Sequence, residues 1–183
     1  GNAVNSLVSV AQDDEGGAGS CSRVLFNATA GVTYQIAVDG YFGASGSIKL
    51  IVKPGILNDN FADSLQLIGA SDSVDGSNVG AYWEPGEPYH WQTTGEKSVW
   101  WRWQAPVTGV VTISTSGSNF DTLLAAYTGS SVSALTLVAN NDDASTSVVT
   151  SQISFLATAG TTYQIAVDGY ATDSGSIVLQ IQQ

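Results

Sequence analysis

The chain repeats itself. Residues 22–52 read SRVLFNATAGVTYQIAVDGYFGASGSIKLIV, and residues 151–181 read SQISFLATAGTTYQIAVDGYATDSGSIVLQI, identical at 20 of 31 positions at an offset of 129. The run from Thr33 to Tyr41 returns unchanged from Thr162 to Tyr170. Upstream, LVSVAQDD from Leu7 to Asp14 is echoed more loosely by LTLVANNDD from Leu135 to Asp143. Likeness of this length means duplicated modules, each built on one supersecondary plan. The duplication is unequal: residues 58–183 form a unit of 126 residues, and residues 1–53 match only its second half. Lys53-Pro54-Gly55 between them is linker punctuation. The organisation expected is a half module at 1–53, a linker at 54–57 and a complete module at 58–183. Two origins fit the half module: a cut from a longer tandem array, or completion by a neighbouring chain.

Strand signals dominate. Ser64 to Gly69, Ser98 to Gln104, Gly109 to Thr115, Thr122 to Thr128, Leu135 to Asn140, Thr150 to Ala157, Thr161 to Asp168 and Ser174 to Gln180 all read as strands. Tyr163, Ile165 and Val167 alternate with Gln164 and Ala166, as they would on a strand with two unlike faces. Turn residues separate the runs at Ala105-Pro106, Thr158-Ala159-Gly160 and Asp168-Gly169-Tyr170, with Asp168-Gly169 carrying hairpin chemistry. Eight or so short strands at this spacing predict an all-β antiparallel sandwich with jelly-roll or Greek-key connections, in tandem modules. A 53-residue half of such a sandwich, with open strand edges, is not expected to be stable alone.

Composition narrows the partners. Sixteen acidic side chains against 5 basic ones leave a net charge of −11, which argues against nucleic acid and anionic membrane surfaces. Clustered carboxylates instead favour a divalent cation that relieves their repulsion. No apolar run approaches the roughly 18–20 residues of a membrane span, so no membrane insertion is expected, and residue 1 opens no signal peptide. Scarce Lys and a single Cys suit an extracellular or cell-surface protein.

With repeat and strand order in hand, the complete module resembles the bacterial pre-peptidase C-terminal domain, or PPC, family. The resemblance rests on Asn58-Asp59-Asn60-Phe61-Ala62-Asp63, Glu84-Pro85-Gly86-Glu87-Pro88 with His90, and Lys97-Ser98-Val99-Trp100-Trp101-Arg102-Trp103. It continues through Phe120-Asp121-Thr122-Leu123-Leu124, Asn141-Asp142-Asp143 and residues 157–163. It implies a secreted, non-catalytic β-sandwich of the kind appended to peptidases or built into large bacterial surface proteins. Relatives in clostridial collagenases bind calcium and collagen. In them an Asn-Asp pair at the module start and acidic residues from a later loop hold the ion. Here the matching positions are Asn58 and Asp59, then Glu84 and Glu87, while the acidic residue found two places before the Asn is replaced by Ile56. An Asx-turn at Asn58-Asp59 with solvated glutamates is the alternative. The resemblance also implies that Cys21, whose counterpart is Thr150, bridges to a Cys near the position of Ser116 in a missing half; the alternative is a buried free thiol.

Two further groups carry expectations of their own. Asp142 and Asp143, with Asn141, are a second acidic group; Asp13, Asp14 and Glu15 echo it, and Asp121, Asp39 and Asp168 are candidates to lie beside it. Loop solubility explains it equally well. The 5 Trp all fall between residues 83 and 103. Alternation puts Trp101 and Trp103 on one strand face, with Trp100 and Arg102 on the other. Tyr82, Trp83, Tyr89 and Trp91 sit in a Pro/Gly-rich loop, where they either pack over the sandwich end, stack on a sugar or peptide, or dock a neighbouring module. The sequence has no zincin helix, serine elbow or phosphate loop. The function expected is therefore a non-catalytic extracellular structural repeat, calcium-stabilised, assembling into fibres through neighbouring modules or copies of itself. The alternative is an accessory module of a secreted peptidase or glycosidase that grips collagen-like peptide or polysaccharide.

Overall fold

The computed structural model describes residues 3–14, 21–24, 26, 28–52, 55–92 and 95–183. Glu15, Lys53 and Pro54, named above, lie outside the described residues. The chain divides into two compact units, residues 1–53 and 54–183.

The second unit is a β-sandwich of nine strands. In chain order these are β1 (Leu65–Leu67), β2 (Ser71–Ser77), β3 (Val99–Gln104), β4 (Gly109–Ser114), β5 (Thr122–Thr128), β6 (Thr136–Asn141), β7 (Gln152–Ala157), β8 (Thr162–Gly169) and β9 (Ser176–Gln182). One sheet runs β1-β3-β8-β5-β6 and the other β2-β9-β4-β7. All pairs are antiparallel except β1 with β3, which run parallel with Leu65 opposite Trp101. Eight strands are legible in the sequence; β2 is the ninth. Its sequence SDSVDGS has one large apolar side chain, Val74, and it sits at a sheet edge, where one inward contact suffices.

The two sheets are unlike. The four-stranded sheet alternates: Ile177, Leu179 and Ile181 of β9 point into the core, while Ser176, Gln180 and Gln182 face out. In the five-stranded sheet β5 and β8 are buried on both faces. Trp101 and Trp103 enter the core between the sheets, as alternation required, and Trp100 points the opposite way. It is buried there too. A second apolar cluster of Trp100, Ala125, Tyr127 and Ala166, flanked by Phe61, Val132 and Leu135, covers the outer face.

Pairing is divided sharply between the two halves of the sequence. Every ladder joined by β6–β9 has its other strand among β1–β5: β6 lies on β5, β7 on β4, β8 between β3 and β5, and β9 between β2 and β4. The connection from β8 to β9 passes from one sheet to the other, so Asp168-Gly169 is a crossover and not the hairpin its turn chemistry suggested. Gly169 is required at this corner, because a Cβ there would sit 1.9 Å from the carbonyl oxygen of Asp173.

The first unit repeats the local structure of the second half without its strands. Thr29 N–H donates to Tyr34 Oη at 3.0 Å, as Thr158 N–H donates to Tyr163 Oη at 3.0 Å. Phe26 meets Tyr34 with ring centroids 4.9 Å apart, and Phe155 meets Tyr163 at 5.0 Å. Gly40 N–H donates to Asp39 Oδ1 and Gly169 N–H to Asp168 Oδ1, at 2.8 and 2.7 Å. Short 3₁₀ turns follow at Tyr41–Gly43 and Tyr170–Thr172, with φ of 48° at both Phe42 and Ala171. Among the described residues of 1–53 no strand forms. Cys21 is exposed, which corrects the reading of it as a buried thiol.

Candidate functional site

The loop from β2 to β3 folds across the outer face of the five-stranded sheet and is tied down by the residues singled out at the module start. Asn58 pairs reciprocally with Trp100: Trp100 N–H donates to Asn58 O at 2.8 Å, and Asn58 Nδ2 donates to Trp100 O at 2.9 Å. Tyr82 N–H donates to Asp59 Oδ1 and Phe61 N–H to Glu84 Oε2, both at 2.8 Å. Glu84-Pro85-Gly86-Glu87 is a tight turn closed by Glu87 N–H on Glu84 O at 3.0 Å. Pro85 presets its first corner and Gly86, at φ 92°, supplies the positive φ of the second. The sequence thus brings Asn58, Asp59, Glu84 and Glu87 together on that outer face, beside β3. Burial raises the Glu84 pKa first, the Phe61 hydrogen bond opposes it, and the charges of Glu87, Asp59 and Asp63 add to the rise.

Glu87 has a second task. Its Oε2 accepts Glu84 N–H at 2.8 Å, and its Oε1 meets His90 Nε2 at 2.9 Å. His90 Nδ1 lies 2.9 Å from Tyr127 Oη, and the His90 carbonyl accepts Asn140 Nδ2 at 2.9 Å. With the imidazole proton on Nε2, Glu87 accepts it and the Tyr127 hydroxyl donates to Nδ1, which satisfies both ring nitrogens of His90. The three side chains are buried, with His90 edge-on to Trp100 at 5.3 Å. Burial, then the charges of Glu87 and Asp168, raises the Tyr127 pKa far above its usual range, so its hydroxyl stays a donor. Both Glu87 oxygens therefore carry hydrogen bonds within the fold. Sequence reasoning missed this relay because Tyr127 is 37 residues from His90 and reads as an ordinary strand aromatic.

Of the loop aromatics, Tyr82, Trp83 and Tyr89 are exposed, Tyr89 at 64%, and Trp91 is half-buried. They ride on the outside of the loop that His90 anchors.

The second acidic group assembles at the opposite side of β5. Asp121, just before β5, and Asp142 and Asp143, just after β6, have carboxylate oxygens all within 4.8 Å of one another. Asp142 O accepts Ser151 Oγ at 2.6 Å, from a buried hydroxyl cluster in which Thr122 Oγ1 lies 2.9 Å from Ser151 Oγ and 2.6 Å from Thr115 Oγ1. Oδ1 of Asp121 and Oδ1 of Asp142 are shielded from solvent and have no hydrogen-bond partner. Burial raises the pKa of both carboxyls; Asp142, Asp143 and Asp173 raise Asp121 further, and Asp143 raises Asp142. Oxygen-only donors, unpartnered and mutually repelling, fit a hard divalent cation. Asp168 is not among them. It accepts from Gly169 N–H and from Lys97 N–H at 3.0 Å, and burial is what chiefly raises its pKa.

No family model and no curated protein matches this sequence. Among solved structures the chain is similar to the pre-peptidase C-terminal domain of a collagenase from Bacillus anthracis, over 65% of this chain and 94% of that one, at 14% identity and a TM-score of 0.44. It is similar to the same extent in coverage to PliG of Aeromonas hydrophila, a periplasmic inhibitor of g-type lysozyme, at 15% identity and a TM-score of 0.44.

Proposed function

We propose that the chain is a non-catalytic structural repeat of a large secreted or surface protein, in which tandem sandwich modules are stiffened by calcium and join into fibres. The observation that supports this best is the recurrence of one local structure at two places 129 residues apart, down to the Tyr34 and Tyr163 hydrogen bonds. The Asp59, Glu84 and Glu87 carboxylates accept the backbone N–H groups of Tyr82, Phe61 and Glu84, and the His90 imidazole braces Glu87 against Tyr127, which is the chemistry of a scaffold. For calcium, the support is the unpartnered oxygens of Asp121 and Asp142. These two, with Asp143, would be ligands, and the Asn58, Asp59 and Glu84 oxygens are the second place to look. Among the described residues no helix is long and apolar enough to cross a membrane.

Sedimentation velocity on the purified chain, in calcium and again after chelation, tests the reading. Large particles that shrink or unfold on chelation are expected. A compact monomer indifferent to chelator would sink both the fibre and the metal.

A second reading has its own support. Tyr82, Trp83 and Tyr89 are exposed together on one loop, as a module gripping collagen-like peptide or polysaccharide requires. Under it, Tyr89→Ala with Trp91→Ala abolishes retention on such a polymer and leaves assembly unchanged.

A further inference from the structure

The first unit reproduces the local bonds of the second half of the sandwich but not its burial. Ile36, Ile48 and Leu50 are 56%, 66% and 56% exposed, whereas Ile165, Ile177 and Leu179, their equivalents at an offset of 129, are at 0%, 1% and 0%. The pairing scheme gives the cause. β6–β9 supply the inner strands β8 and β9, one to each sheet, and find all their ladder partners among β1–β5. A second half alone therefore has the apolar faces and hydrogen-bonding edges of two sheets and nothing to put on them.

The missing contacts can be read from the complete module. Residues 38–40 and 44–48 line an open groove. Their equivalents, 167–169 and 173–177, hold two side chains that precede β3. Asn78 Oδ1 accepts Gly175 N–H at 2.8 Å, and Asn78 Nδ2 donates to Asp173 O at 3.3 Å. Lys97 donates from its backbone N–H to Asp168 Oδ1, and from Nζ to Thr172 O at 2.6 Å and Ser174 Oγ at 3.1 Å. Asp39, Ser45 and Gly46 preserve the Asp168, Ser174 and Gly175 sites.

We propose that residues 1–53 are the receiving half of a second sandwich, and that its occupant is a further segment of β1–β5 type outside these 183 residues. The segment carries an amide side chain at the place of Asn78 and a lysine at the place of Lys97. This rests on the structural-repeat reading and names the partner that reading requires. A second copy of the chain does not serve, for a reason of stoichiometry. Each chain brings two second halves and one first half, and residues 58–134 are already covered by their own second half. Any number of copies leaves one receiving half per chain unfilled.

The test supplies the missing half. Residues 55–129 are joined ahead of residue 1 of the full chain, so that they run into 1–53 as they naturally run into 130–182. Hydrogen exchange is then followed on peptides that reach beyond the shared Thr33–Tyr41 run and so identify their copy. Amides of residues 34–38 and 47–52 are expected to slow by roughly a thousandfold relative to the unjoined chain, as core strands do. Asn78→Ala with Lys97→Ala in the added segment alone should return at least about tenfold of that protection, with residues 130–182, which occur only once, unaffected. The same slowing is expected when the segment is supplied as a separate polypeptide during refolding. Fast exchange at 34–52 in both formats, with 130–182 protected, overturns the proposal and leaves the structural-repeat reading standing. Protection of 34–52 that develops in the unjoined chain on self-association overturns it in favour of a second copy. Fast exchange throughout 65–182 removes the sandwich reading itself.

Discussion

At the scale of single residues, polar groups hold the loop after β2 in place. Tyr127 is the test case, because with the imidazole proton on Nε2 its hydroxyl is the donor to His90 Nδ1, and the imidazole in turn orients Glu87 against the turn at Gly86. Tyr127→Phe keeps the ring that packs on Trp100, at a centroid distance of 6.1 Å, and strands a buried acceptor. An orphaned buried group costs about 1–3 kcal/mol, so the denaturation midpoint should fall by that amount with an unchanged denaturant slope. A neutral result would show that the relay is incidental. Gly86→Ala acts on the same loop through the backbone, since φ of 92° strains any side chain by roughly 1–3 kcal/mol. The expected sign there is a local one: faster proteolysis between residues 78 and 98 before any loss of the sandwich. Little of this was legible beforehand. Glu84-Pro85-Gly86-Glu87 announces a turn because Pro and Gly impose their own dihedrals, but the partners of His90 come from β5 and from the turn by tertiary folding, and no periodicity carries that information.

At the scale of elements, one substitution can be made twice in the same chain. Ile165 in β8 is fully buried between β3 and β5, and Ile36 is its equivalent in an exposed segment. Ile165→Ala removes core atoms and leaves a cavity, and should cost about 2–5 kcal/mol by thermal or chemical unfolding. Ile36→Ala, with no core around it, should stay within about 0.5 kcal/mol. Equal costs would mean that residues 22–52 are packed, contrary to their exposure. The contrast shows why strands could be read from the sequence while their status could not. Alternation in Thr33–Tyr41 and Thr162–Gly169 is the same, because alternation records which face a residue would present. Whether a strand exists depends on partners elsewhere in the chain, and for β6–β9 every partner lies in the other half. β2 fails in the opposite sense: SDSVDGS has no apolar alternation to read, yet it pairs along seven residues with β9 because that edge is open to it. The parallel β1–β3 pair escaped notice for a related reason, since strand direction leaves no mark in a three-residue run.

At the scale of the whole molecule, acidity and stability are linked through carboxyls that the fold makes weaker acids. Asp121 and Asp142 have pKa values raised above 3.8, by burial first and then by their acidic neighbours. Each therefore holds its proton more tightly in the folded chain than in the unfolded one. Linkage then fixes the sign: their contribution is fully present below the unfolded value and is lost as pH rises through the raised folded value. In chelator, these two carboxyls should make the melting temperature climb as pH falls through their raised values toward 3.8, the reverse of the usual behaviour of proteins whose carboxylates are paired. Asp121→Asn removes its own charge and relieves Asp142 of a neighbour, so it should raise the melting temperature of the metal-free protein at neutral pH and flatten that slope. The calcium proposed above would act on the same groups with the opposite preference, because it would bind them ionised. Its addition should stabilise the native chain most at neutral pH, least at acid pH where these carboxyls are protonated, and should do nothing for Asp121→Asn. Calorimetry across that pH range, with calcium and with chelator, separates the cases. If calcium stabilises Asp121→Asn as much as the parent, the ion is held elsewhere, and Asp59→Asn with Glu84→Gln is then the pair whose loss of response would locate it at the module start. The net charge of −11 makes the same point for the molecule at large. On the reading proposed above, a chain this acidic would pack end to end only where its carboxylates are neutralised, so the salt that best supports assembly should be divalent, and sodium at equal ionic strength should not replace it.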